Sequence, residues 1–190
     1  YIDILFLVPK ITALDIQIAL WNELRTSREL IMHNYTPRKW FECDVMAVTK
    51  AGYLEEYEIK LSASDFKADT KKCFRDGYLR GERIGGKNKH QELQNKSPDG
   101  PSRFWFVVSH NIVDKIEIPE WAGLKVAYNF NKKGNLYLKE LKKAPKLHTN
   151  KIDDKIVEHA KSVCYWRYWN TKCDVDKSVK RELRRMENLT

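Results

Sequence analysis

The chain has 190 residues, of which 42% are hydrophobic and 32% charged, and these values are typical of a single globular domain with a modest appendage. Its formal net charge of +9 favours polyanionic partners, nucleic acid first and an anionic membrane surface second. The four cysteines contain no CxxC pair and the five histidines do not cluster near them, which argues against a zinc site.

The N-terminal part of the sequence predicts a short apolar segment followed by a helix. Ile2 to Val8 is far shorter than the roughly 20 residues of a membrane span, so we expect no membrane partner. No secretory signal is visible, and we therefore expect a cytoplasmic protein with free thiols. Thr12 to Asp15 resembles a capping box, which predicts a helix from there to about Leu30. The apolar face predicted for this helix consists of Leu14, Ile18, Leu20, Trp21 and Leu24.

The next segment predicts a β-hairpin. Trp40 to Val48 is rich in aromatic, β-branched and apolar residues, and Tyr53 to Leu61 alternates with period two. Lys50 to Gly52 separates them, and a three-residue loop with glycine at positive φ pairs Thr49 with Tyr53.

This register brings two acids and a lysine together. Counting outward from the loop places Asp44 opposite Glu58, and strand alternation places Lys60 on the same face. Facing carboxylates repel each other unless a divalent cation or a lysine compensates them. The alternative is that these three charges form the solvated face of the hairpin.

A second helix is predicted after the hairpin. Ser62 or Ser64 caps a helix that runs from Asp65 toward Tyr78. Because this helix starts beside the hairpin's lysine, Lys67 and Lys71 are candidates for phosphate contacts, although such charged rows are also typical of a solvated face.

From Leu79 to Ser102 the sequence loses apolar periodicity, which indicates a long loop that is either functional or disordered. Its basic side chains are candidates for sequence-independent contacts with a nucleic-acid backbone. The alternative is a mobile surface excursion without a partner. The candidates that we single out are Arg83, Lys87 and Lys89.

The second half of the sequence predicts further strands. Phe104 to Val108 is a continuous aromatic and β-branched run, typical of a buried central strand. Val113 to Ile118 is helical or extended, Leu124 to Tyr128 and Leu136 to Leu141 predict short strands, and Asn131 to Asn135 predicts the turn between them. The expected architecture is an α/β fold with a mixed sheet and helices packed against it.

The C-terminal part predicts two helices, one from about Lys151 to Arg167 and a last one from Asp174. The last helix has an apolar stripe and a basic remainder, and we expect the stripe to pack while the basic surface is solvated; a nucleic-acid-facing helix is the alternative. We divide the chain into a core, residues 1–148, and a helical extension packed on it, residues 149–190. The stripe consists of Val175, Val179, Leu183 and Met186.

Three motifs resemble those of a known superfamily. Asp44, followed fourteen residues later by Glu58-Ile59-Lys60, resembles the D…(D/E)xK signature of PD-(D/E)xK nucleases, with Cys43 where a proline often precedes the acid. The run EIKLSASDF, and later IPEWAGLKV, resemble the branch that includes MmcB-like DNA repair proteins and related phage or bacterial proteins. The resemblance implies a restriction-endonuclease-like mixed β-sheet core.

The resemblance also implies a metal site. Asp44 and Glu58 would hold Mg²⁺ or Mn²⁺, with Glu23 of the first helix as a further ligand. Asp15 and Glu42 are candidates to support these ligands from further out.

The function implied is hydrolysis of DNA phosphodiester bonds in repair, recombination or phage and host DNA processing, with RNA not excluded as substrate. Lys60 would then stabilise the charge that develops on the phosphate. The alternative is a non-catalytic DNA-binding or repair-accessory module of the same fold. A third hypothesis is an interaction protein without a nucleic-acid partner.

Overall fold

The computed structural model describes residues 10–71, 77–79, 82–84, 86–128 and 136–187. The predicted segment Ile2 to Val8 and the turn from Asn131 to Asn135 lie outside the described residues. Residues up to Ile152 form one compact unit, and those from Asp153 onward form a second. The elements of the first unit are α1 (Ala13–Leu24), β1 (Arg28–Tyr35), β2 (Cys43–Thr49), β3 (Leu54–Lys60), α2 (Ala63–Asp69), β4 (Gly77–Leu79), β5 (Glu82–Ile84), α3 (Lys89–Gln94), β6 (Arg103–Ser109), a 3₁₀ helix (His110–Lys115), β7 (Gly123–Tyr128) and β8 (Tyr137–Lys142), and the second unit contains α4 (Asp154–Glu187).

The first unit is built around a six-stranded mixed sheet. Its strand order is β1-β2-β3-β6-β7-β8, and β4 and β5 pair separately as a two-stranded ribbon. β6 runs parallel to β3 and β7, while the other neighbours are antiparallel. The predicted α/β class, a mixed sheet flanked by helices and followed by a C-terminal helix, is confirmed at this level.

The hairpin of β2 and β3 has the predicted register. The Thr49 amide donates to the Tyr53 carbonyl at 2.9 Å, and Gly52 closes the loop with φ of +82°. Val45 pairs with Tyr57, so the next pair outward is Asp44 with Glu58. The parity that places both acids on one sheet face is confirmed.

The opposite face of the hairpin packs on α1. Ile16, Leu20 and Leu24 of α1 share a buried core cluster with Val45 and Ile59. Because side chains alternate along a strand, Asp44, Glu58 and Lys60 point away from this helix. The sheet therefore separates α1 from the predicted site.

The prediction for α1 was wrong at its end and on its apolar face. The helix ends at Leu24 instead of Leu30, because residues from Arg28 onward form β1 and pair with β2. This pairing satisfies the backbone in a ladder and overrides the local helix propensity. Leu14, Ile18 and Trp21 are exposed at 62%, 51% and 50%, because the helix turns a different stripe toward the sheet.

The next two predictions also need correction. α2 ends at Asp69, and residues 77–79, predicted as the end of this helix, form a strand. The segment from Leu79 to Ser102 contains β5 and α3. The side chain of Asn88 caps α3 by accepting from the Gln91 amide at 3.1 Å.

α4 is one continuous helix of 34 residues where two helices were predicted. Val175, Val179 and Met186 are exposed at 55%, 52% and 60%, so the prediction that this stripe packs is wrong at these positions. The side chain of Leu183 lies outside the described residues. Within the described ranges, we find no helix with the length and apolar character needed to cross a membrane.

Candidate active site

An open pocket of about 410 Å³ lies at the end of the hairpin, on the sheet face opposite α1. It forms because β3 ends at Lys60 and the chain turns at once into α2, whose first turn is capped when Ser62 Oγ accepts from the Asp65 amide at 3.1 Å. Strand ends and the exposed side of α2 thus meet. The lining residues are Asp44, Glu58, Ile59, Lys60, Asp65, Ala68, Asp69 and Lys71.

Asp44 is half-buried at the start of β2. Its Oδ2 accepts a hydrogen bond from the Ile59 amide at 2.7 Å. This bond fixes the carboxylate against the neighbouring strand, between the positions of Glu58 and Lys60. The structure therefore brings the three predicted residues to one pocket.

Glu58 lies at the base of the pocket with 1% of its surface exposed. Its Oε1 is 3.0 Å from the ammonium of Lys60, and its Oε2 is 2.6 Å from that of Lys89. Both carboxylate oxygens are thus compensated by lysines. Repulsion between the carboxylates of Asp44 and Glu58 is relieved in this way.

Lys89 is fully buried behind the pocket, with no exposed surface. Its ammonium lies 2.5 Å from Glu56 and 2.6 Å from Glu58. Burial alone lowers the pKa of Lys89, but the charges of Glu56 and Glu58 outweigh burial and raise the pKa well above the ordinary lysine value. The prediction that Lys89 contacts nucleic acid was wrong, because its ammonium is buried and paired with Glu56 and Glu58.

Glu56 anchors the inner end of this group. Its Oε2 accepts a hydrogen bond from Trp40 Nε1 at 2.7 Å, and its carboxylate has no solvent exposure. Burial raises the pKa of Glu56, while Lys89 opposes the shift. Together these contacts form a buried network in which acids and lysines alternate.

Lys60 connects the buried network to the pocket, which it lines. Its ammonium is 2.7 Å from Asp69 Oδ1 and 3.8 Å from Asp65 Oδ1. Burial alone lowers the pKa of Lys60, but the charge of Glu58 and the hydrogen bond to Asp69 raise the pKa above its ordinary value. Lys60 therefore stays cationic at neutral pH.

Asp69 connects the lysine to α3. Its Oδ2 is 2.7 Å from Nε2 of His90, whose ring lies edge-on to Trp121. Burial alone raises the pKa of Asp69, but hydrogen bonds from His90 and Lys60 hold it well below its usual range. The ionised Asp69 thus fixes the orientation of Lys60.

The other predicted acids do not line the pocket. Glu23 pairs with Lys125 at 2.6 Å on the sheet face that α1 covers, opposite to Glu58, so the structure does not bring it to the predicted metal site. The Asp15 carboxylate accepts hydrogen bonds from the Thr12 amide at 2.8 Å and hydroxyl at 2.7 Å, and acts as a helix cap. Glu42 has an exposed side chain, and its carbonyl oxygen accepts a hydrogen bond from the buried Lys89 at 3.3 Å.

The remaining predicted basic residues are dispersed. Lys71 lines the pocket and is exposed, while Lys67 is exposed and lies outside the lining. Lys87 is exposed and 3.7 Å from Glu92. The side chain of Arg83 lies outside the described residues.

Sequence reasoning missed several residues of the site. Asp65 and Asp69 are four residues apart on α2, shortly after Lys60, and this spacing is the signal that could have identified them, because it places both on one face of the helix. His90 and the buried position of Lys89 had no such signal, because α3 reaches the site only through the tertiary fold.

The fold of this chain is similar to that of a solved structure. No family model matches the sequence, and a search of curated proteins finds no match. A solved structure, the SPO1766 protein of unknown function from Silicibacter pomeroyi, is similar with a TM-score of 0.58 and 16% identity. The match covers 88% of this chain and 94% of that chain. At this identity the likeness shows the fold alone, so the chain shares its α/β architecture with a protein of unknown function.

Proposed function

We propose that this pocket hydrolyses phosphodiester bonds of DNA with the help of Mg²⁺ or Mn²⁺, RNA not being excluded as a substrate. The observation that carries the proposal is the convergence of Asp44, Glu58 and Lys60 on one open pocket. These are the residues that match the D…(D/E)xK signature, and the hairpin register brings the two acids to facing positions.

The order of elements supports the same proposal. The chain begins with a helix, α1, and three antiparallel strands, β1 to β3. A second helix, α2, follows them. After α3 comes β6, which runs parallel to β3. This order agrees with a restriction-endonuclease-like core, which has a helix before the hairpin, a helix after it and a further strand. We infer that the chain has this fold.

The charge of the pocket is compatible with a divalent cation. Four carboxylates and two lysines line it, an excess of two negative charges in a protein whose net charge is +9. Within the described part of the chain, no three His, Cys, Asp or Glu side chains are arranged as a metal-binding group. Mg²⁺, however, needs only one or two carboxylates, because water and phosphate oxygens complete its coordination. Asp44 and Glu58 are the residues that would hold the cation.

The protein's own residues would prepare the substrate. Lys60 presents a fixed positive charge beside the two acids, where negative charge develops on a phosphate under attack. Asp69 holds this ammonium in place, and the exposed Lys71 at the pocket wall is suited to bind a phosphate of the strand. A bound Mg²⁺ or Mn²⁺ supplies a Lewis acid and lowers the pKa of a water ligand.

The test is cleavage of supercoiled and linear DNA with Mg²⁺, Mn²⁺ or EDTA, measured on gels beside metal binding by calorimetry. Asp44→Asn should abolish cleavage and weaken metal binding. Lys60→Ala should lower the rate by about 10²- to 10³-fold and still bind metal. Lys50→Ala, at an exposed lysine of the hairpin loop that does not line the pocket, is the matched control and should cleave at the parent rate.

Circular dichroism melting must show that each variant is folded, because Lys60 is buried in an ion-pair network. A folded Lys60→Ala protein that cleaves at the parent rate would refute the proposed role of this lysine. Cleavage by the parent protein that persists in EDTA would refute the metal-dependent mechanism.

One observation favours the non-catalytic alternative. Both oxygens of Glu58 are already ion-paired, with Lys60 and Lys89, so the acid is compensated by the protein itself. In a DNA-binding or repair-accessory module these pairs would be purely structural. This alternative predicts DNA binding in EDTA, no cleavage with any cation, and no heat of Mg²⁺ or Mn²⁺ binding.

A further inference from the structure

The middle of α4 carries an exposed aromatic segment, which we define as Tyr165–Lys172. Tyr165 and Trp166 are exposed at 58% and 61%, and Tyr168 and Trp169 at 55% and 47%. Large aromatic side chains are usually buried, so four exposed rings within five consecutive residues indicate a binding surface.

The rings of the aromatic segment are not stacked on one another. Tyr165 and Trp166 have ring centroids 5.9 Å apart and an interplanar angle of 78°, and Tyr168 and Trp169 are 5.5 Å apart at 77°. These are edge-to-face arrangements, so the two rings of each pair are not stacked face to face. An exposed ring face is a surface on which another planar group can stack.

Both charged residues within the aromatic segment are basic. No Asp or Glu occurs between Glu158 and Asp174, whereas Arg167 and Lys172 lie within the segment itself. The ammonium of Lys172 is 5.7 Å from the ring centroid of Tyr168. A partner that covers these rings therefore meets positive charge, which favours a polyanion.

The side-chain types distinguish among anionic and apolar partners. A helix that pairs with a second helix generally presents a seam of Leu, Ile or Val. The aromatic segment presents Tyr and Trp beside Asn170 and Thr171, and it contains no aliphatic side chain. Flat rings interleaved with cations are the arrangement that binds single-stranded nucleic acid, where bases stack and phosphates meet the charges.

We propose that the aromatic segment of α4 binds single-stranded nucleic acid, with bases stacked on its Trp and Tyr rings and phosphates paired with Arg167 and Lys172. Duplex nucleic acid should bind less well, because its bases are already stacked on each other. The inference goes beyond the hydrolysis proposed for the pocket and does not depend on it, since binding is measured in EDTA.

The experiment measures anisotropy of fluorescent single-stranded dT and rU oligonucleotides, and of a duplex of equal length, titrated with the full chain in EDTA. Trp166→Leu and Trp169→Leu remove a ring but keep an apolar side chain with higher helix propensity. Each should weaken single-strand binding between about fivefold and 150-fold, the range for loss of one base–aromatic stack. Val175→Ala, an exposed apolar residue of the same helix outside the segment, is the matched control and should bind like the parent.

The outcomes separate the partners. Weaker binding by both Trp→Leu variants, with unchanged circular dichroism, would support the proposal. Equal affinity for single strand and duplex, or parent-like binding by both variants, would overturn it. Sedimentation with phosphatidylserine vesicles in the absence of oligonucleotide binding would assign the segment to a membrane surface instead. A dimer in sedimentation equilibrium that Trp166→Ala dissociates, again without oligonucleotide binding, would assign it to a second copy.

Discussion

Replacement of Lys89 by methionine is the sharpest test of the buried network. Methionine keeps most of the side chain's volume, so the change removes the ammonium with little loss of packing. Glu58 keeps Lys60 as a partner, whereas Glu56 loses the ammonium that lies 2.5 Å from its carboxylate and keeps the hydrogen bond from Trp40. Because Glu56 has no solvent exposure, the variant contains a buried carboxylate without its counter-ion.

The expected loss of stability follows from this imbalance. Removing one partner of a buried ion pair typically costs about 3–5 kcal/mol, because the remaining charge is left uncompensated. Native domains are stable by only about 5–15 kcal/mol, so Lys89→Met should bring the protein close to unfolding. The measurement is urea unfolding followed by circular dichroism at pH 7, with the free energy extrapolated to water.

The matched control for this experiment is Lys87→Met. Lys87 is two residues away and its side chain is 49% exposed, at 3.7 Å from Glu92. Its replacement should change the free energy of unfolding by less than about 0.5 kcal/mol. The same chemical change at the two positions thus isolates the effect of burial.

The loss of stability caused by Lys89→Met should depend on pH in a defined direction. Without Lys89, the folded-state pKa of Glu56, already raised by burial, should rise further above its unfolded value. The loss of stability caused by the charged Glu56 is then fully present above the folded-state pKa of Glu56. It disappears as pH falls toward the pKa of glutamate in the unfolded chain, about 4.3. The loss caused by Lys89→Met should therefore shrink between pH 7 and pH 4. A loss below about 1 kcal/mol at pH 7, or one that grows on acidification, would refute the proposed pairing.

Three further changes test other contacts by the same unfolding assay. Gly123→Ala should cost about 1–3 kcal/mol, because the added Cβ would lie 2.7 Å from the backbone nitrogen of Ala144; a parent-like midpoint would contradict this close approach. Trp40→Phe should cost about 1.5–3 kcal/mol through the lost hydrogen bond to Glu56, and an equal loss in a Glu56→Met background, which lacks the oxygen acceptor, would point to packing instead. Asp69→Asn should destabilise by about 3–5 kcal/mol at pH 7. The pKa of Asp69 is lowered in the folded state, so its contribution to the free energy of unfolding is fully present above the usual aspartate pKa of about 3.9 and is lost as pH falls below that value. The difference in stability between Asp69→Asn and the parent should therefore narrow below about pH 3.9.

The hairpin register and the common sheet face of Asp44, Glu58 and Lys60 follow from the sequence alone. A strand with period two, the loop from Lys50 to Gly52 and a count of residues were enough to place Asp44 opposite Glu58, with Lys60 on the same face. These features are local, and a register fixed by a short turn leaves no freedom in which residues share a face.

Only the tertiary structure determined the interactions between segments that are far apart in the sequence. Local propensity favoured a helix as far as Leu30, but pairing with β2 made the residues from Arg28 onward a strand. Which stripe of α1 is buried depended on how the helix meets the sheet, and the exposure of Trp21 could not be read from its spacing.

The same limit applies to the charges around the pocket. In the sequence, Lys89 is a basic residue among others in a polar segment, and its spacing alone suggested a surface lysine. Only the docking of α3 behind β3 places its ammonium between Glu56 and Glu58. Burial removes water as a partner, so each charge there depends on the neighbour that the fold supplies, and no local pattern specifies that neighbour.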